Sequence, residues 1–64
     1  MIQTEFVKEL PNKVIYVNSF ESKYTVIECE RLSDGAINPI PVRKTSRTNL
    51  HDALEVAEEW AGQS

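Results

Sequence analysis

Three cations crowd into five positions at Arg43-Lys44-Thr45-Ser46-Arg47, directly ahead of a stretch with helical periodicity. A phosphate or carboxylate contact needs just such groups. The cations supply charge, the hydroxyls of Thr45, Ser46 and Thr48 supply donors, and a helix N-terminus adds unpaired N–H groups and positive dipole. Anion or nucleic-acid binding by Arg43, Lys44 and Arg47 is therefore one functional reading of the chain. The plainer expectation is a solvated loop between a strand and a helix, with Asp52 balancing the charge.

Other reactive side chains are few. Cys29 is the sole cysteine and His51 the sole histidine, so no His/Cys cluster has metal-ligand spacing. Glycine occurs only at 35 and 62, which leaves no glycine-rich phosphate loop. No Ser/His/Asp set and no acidic pair with a supporting base stands out. The chain reads as a non-enzyme without cofactor or metal. Asp52, Glu55, Glu58 and Glu59 read as the solvated face of a helix.

Sixty-four residues make one domain, 1–64, with a formal net charge of −3. That charge disfavours duplex nucleic acid as a default partner, because such binders carry a positive excess. One cysteine permits no internal disulfide, which fits a reducing, cytoplasmic setting. The opening residues lack a basic segment followed by an apolar one, and no apolar run approaches the ~20 residues of a membrane span. A chain this short buries only roughly 60% of its unfolded surface. Without disulfide or metal, self-association is the remaining supplement to a small core.

The elements that must position these groups follow from pattern and turn chemistry. Asp34-Gly35 between two β-type runs predicts a type I′ hairpin. Pairing outward from it sets Cys29 against Ile40 and Ile27 against Val42. Pro39 and Pro41 then fall on outward-facing positions of an edge strand over residues 36–42 and block that edge. Upstream, Lys13–Phe20 and a run over residues 23–32 are β-branched and aromatic, and a three-residue connection at 21–23 pairs Val17 with Ile27 and Ile15 with Cys29. Residues 2–10, ended by Pro11-Asn12, read as a further strand pairing Phe6 with Val17, although Ile2, Phe6 and Leu10 also recur at helical spacing. Asn49 with Asp52 resembles a capping box, with Thr48 as the alternative cap, and Gly62 stops the helix behind an apolar arc of Leu50, Ala53, Leu54, Val56, Ala57, Trp60 and Ala61. The alanines in that arc imply close approach of helix to sheet. The expected architecture is α+β: a four-stranded antiparallel β-meander (ββββα) with one C-terminal helix packed on one face.

These registers put Ile15, Val17, Ile27, Cys29, Ile40 and Val42 under the helix. They leave Val14, Tyr16, Phe20, Tyr24 and Val26 on the opposite face, with Glu5, Glu9, Glu28 and Glu30. An apolar cluster on an open sheet face marks an interface. The preferred reading is a small protein-interaction module, a regulator or inhibitor acting as a homodimer or by occupying a partner protein. Its partner-binding residues would be Tyr16, Phe20, Tyr24, Val26 and Glu28.

Overall fold

The β-branched and aromatic runs become the two central strands of a computed structural model that describes residues 1–63. In chain order the elements are β1 (Gln3–Glu9), β2 (Lys13–Phe20), β3 (Lys23–Glu30), β4 (Arg43–Arg47) and α1 (Leu50–Ala61). The strands form one antiparallel sheet in the order β1-β2-β3-β4, so the ββββα meander expected from the sequence is the fold. No helix among the described residues is long and apolar enough to cross a membrane.

The registers differ from expectation in two places. Between β2 and β3 the connection is two residues, not three: Phe20 pairs with Lys23 across Glu21 and Ser22, which lie at φ 50° and 65°. Positive φ at both positions is the type I′ signature, adopted here without a glycine because its twist suits a two-residue hairpin. The pairs become Val17–Val26 and Ile15–Glu28. That slip of one residue turns every side chain of β3 to the other face. Val26 goes under the helix and is fully buried, while Ile27 and Cys29 face away from it.

The second correction concerns Asp34-Gly35. Gly35 does sit at φ +90°, but Asp34 is not left-handed. Gly35 N–H donates to Leu32 O at 2.9 Å and Leu32 N–H to Ala36 O at 2.7 Å, a turn over Ser33-Asp34 followed by a glycine bulge. Residues 36–42 are not a strand. Arg31 and Ile37 make one isolated bridge. Asn38 N–H then bonds Glu30 O and Val42 N–H bonds Glu28 O, so four residues on the outer segment step past two on β3. Pro39 and Pro41, with no N–H to give, bow outward, and Ile40 N–H turns to Asn38 Oδ1 at 3.0 Å. The outer strand forms only after them, at Arg43–Arg47, in place of the solvated loop expected there.

Helix α1 starts as expected. Asn49 accepts from Asp52 N–H at 2.9 Å. At the other end Gly62 stays right-handed at φ −82°, and its N–H donates to Glu58 O and Glu59 O. Ala53 and Ala57 are fully buried against Ile15, Val17 and Val26, the close approach their small size permits. Phe6, Leu10, Tyr24, Leu50, Leu54, Val56, Trp60 and Ala61 pack around that centre. The main core cluster lies between the helix and one face of the sheet, while Val14 and Cys29 are buried on the other face.

Candidate interaction surface

Pairing across the strands arranges the face away from the helix into rows. One row runs Thr4, Asn18, Thr25, Ser46 and is polar; Thr4 bonds Asn18 and Thr25 bonds Ser46. The next runs Val7, Tyr16, Ile27, Lys44. A third runs Glu9, Val14, Cys29. Phe20, 47% exposed, sits at one end of this face beside Lys23. Three apolar or aromatic side chains, Val7, Tyr16 and Ile27, are thus contiguous and partly open to solvent across β1, β2 and β3, with Val14 and Cys29 packed beside them. Val7 is 53% exposed, Tyr16 and Ile27 are half-buried, and Val14 and Cys29 are buried among their neighbours.

Tyr16 is the centre of the patch. Its hydroxyl lies 3.9 Å from Cys29 Sγ. Burial, and then the hydrogen bond and charge interaction with Cys29, push the phenol above its ordinary value. The ionised form is disfavoured because phenolate would lose water and meet a sulfur that can itself carry negative charge.

Of the five side chains read as partner-binding, the structure keeps Tyr16 and Phe20 on the open face and moves three. Tyr24 and Val26 pack into the helix-covered core, and Glu28 is 8% exposed beneath the end of the helix. The cause is the single-residue slip of β3. Glu28 instead anchors an ion cluster. Arg43 approaches its Oε1 through Nη2 at 2.9 Å and Nε at 3.0 Å, and Lys13 Nζ stands 4.0 Å away. Lys13 also donates to Trp60 O and Gln63 O, both at 2.8 Å, satisfying carbonyls at the helix end that have no partner within it. The Arg43 guanidinium lies 4.2 Å from the Trp60 ring centroid, a cation–π contact. A depression of about 280 Å³ opens above this cluster, beside Asn12, Glu30 and Val42, but both of its cations are already engaged.

The basic segment is likewise rearranged. As a strand it alternates, so Arg43 and Arg47 share the helix side of the sheet and Lys44 lies on the open side. Arg47 bonds Thr45 Oγ1 and Ser46 O, both at 2.8 Å. The three cations therefore do not share one surface. His51, Asp52 and Glu55 gather donor atoms within 4.8 Å of one another on the exposed first turn of α1, where Asp52 is already tied to Asn49.

The sequence reading missed Val7 and Ile27. Val7 was within reach, because pairing Phe6 with Val17 places it beside Tyr16. Ile27 was not, because β3 offers an apolar residue to either face at adjacent positions 26 and 27. Compared with protein-family models, curated proteins and solved structures, the chain matches none.

Proposed function

We propose that this chain is a small non-enzymatic interaction module that binds protein through the uncovered face of its sheet. It would regulate or inhibit by occupying a surface, not by turnover. The observation that carries the reading is the contiguous, partly exposed row Val7, Tyr16 and Ile27, backed by the buried Val14 and Cys29, on the face away from the helix. An antiparallel sheet tolerates one wet face when that face is polar. Here the centre is apolar and the polar row lies to one side, the layout of an interface core with its rim. Potentially reactive groups on the face support binding over chemistry: Cys29 is buried with Tyr16 as its polar neighbour, and Thr25 and Ser46 face each other.

The test is site-specific photo-crosslinking in the native cell. A benzophenone side chain is placed at Val7 or Tyr16, and for comparison at Glu55 or Glu59 on the outer face of α1. Discrete adducts from the first pair and none from the second are expected. Absence of adducts at Val7 and Tyr16, or equal labelling at all four positions, overturns the reading.

A further inference from the structure

We infer that the occupant of the open face is a second copy of this chain, stacked sheet against sheet about a twofold axis that runs along the strands. The inference rests on the interaction reading above and adds the partner to it. A twofold in that direction sets β1 over the partner's β4 and β2 over the partner's β3. Within the row Val7, Tyr16, Ile27, Lys44, it brings Tyr16 onto the partner's Ile27, and the reverse contact repeats by symmetry. Val7 meets the aliphatic stem of the partner's Lys44. Glu9 stands two residues along β1 on the same face as Val7, about 7 Å away, within reach of that lysine's ammonium group.

The charges select this axis. Lys44 is exposed and has no acidic partner among the described residues, while Glu9, at 71% side-chain exposure, holds only Arg31. A twofold across the strands would lay β1 over the partner's β1 and β4 over the partner's β4, facing like charges together. The strand-parallel axis makes two Glu9–Lys44 contacts instead.

The sheet edges are closed to the same partner. The β1 ladder is broken by a bulge between Thr4 and Phe6, which spoils strand addition there. Pairing β4 antiparallel with the partner's β4 about Thr45 would set Arg43 opposite the partner's Arg47, cation against cation. Pairing β1 with the partner's β4 is head-to-tail and does not close. Size fits as well. Four strands of five to eight residues, about 4.8 Å apart and rising about 3.3 Å per residue, span roughly 19 by 23 Å. Two such faces bury about 900 Å² of flat area, more with side-chain relief, close to the lower limit of specific interfaces at about 1,000–1,200 Å². A dimer that dissociates at micromolar concentration is the consequence.

Sedimentation equilibrium of the purified chain, from low micromolar to millimolar, tests this. The mass is expected to double over that range. Tyr16→Glu and, where that variant loses its circular dichroism signal, Val7→Glu should stay monomeric throughout. Lys44→Glu should weaken the dimer about fivefold, and Glu9→Lys with Lys44→Glu should restore it. A chain that stays monomeric at millimolar concentration overturns the inference. A dimer indifferent to Tyr16→Glu and Val7→Glu overturns it too, because it uses another surface. Failure of the charge swap to restore affinity overturns the axis. Crosslinks from Val7 and Tyr16 to a different protein, with a monomeric purified chain, would sink this inference and leave the interaction reading standing.

Discussion

Glu28 shows how much a single residue decides. Its carboxylate is nearly buried, and a charge there persists only with partners, which Arg43 and Lys13 provide from β4 and the start of β2. Removing a partner strands the charge. Arg43→Leu should cost about 2 kcal/mol in urea unfolding, less than the ~3–5 kcal/mol of a fully buried pair, because the guanidinium is partly solvated and Lys13 stays. A loss below half a kcal/mol would show that the cluster is decorative. Tyr16 makes a pH prediction. Its folded-state pKa is raised above the ordinary 10.0, so its contribution to stability is fully present below pH 10 and fades as pH climbs through the folded value. Spectroscopic titration should show a delayed phenol ionisation in the wild type that Tyr16→Phe removes. Loss of no such step would mean that Tyr16 is not the delayed group.

At the scale of elements, the two hairpin turns carry opposite liabilities. Glu21 and Ser22 hold left-handed conformations that side chains resist by roughly 1–2 kcal/mol each. Glu21→Asn with Ser22→Gly matches the residues a type I′ turn favours and should stabilise the chain by about 1–2 kcal/mol in thermal or urea melts. An unchanged melting point would contradict the turn. Gly35 is the reverse case. A Cβ there would touch nothing within 4 Å, so the cost of a side chain comes from the backbone at φ +90° alone. Gly35→Val should destabilise by about 1–3 kcal/mol, and Gly35→Asn by distinctly less.

For the whole molecule, the two faces of the sheet set the response to a buried charge. Val26 is fully buried under α1 and Val7 is half-exposed on the other side. A chain of this length holds about 3–10 kcal/mol of total stability. Val26→Glu puts an unpaired charge in the core and should abolish the cooperative melt, whereas Val7→Glu should melt like the wild type at concentrations where the chain is monomeric. Equal damage from both would mean that the faces are assigned incorrectly.

The sequence by itself determined the antiparallel β2-β3 hairpin, the C-terminal helix with its start near Asn49, and the alanine seam of Ala53 and Ala57, while the tertiary structure decided between strand and helix for the first run and between Thr48 and Asn49 for the cap. Each is local: turn residues, period and caps act within a few positions. Tyr16 and Phe20 on the open face were legible for the same reason, since β2 alternates cleanly. Which face of β3 is buried was not. Val26 and Ile27 are adjacent and both apolar, so alternation is silent, and the choice falls to partners far away in the chain. Lys13 and Arg43, 30 residues apart in number, meet at Glu28 only once the sheet is assembled and α1 ends above it. Likewise Pro39 and Pro41 showed that the outer strand needed special handling. Only the assembled ladder decided that they bow out and leave Arg43–Arg47 to pair, splitting the basic segment between two faces.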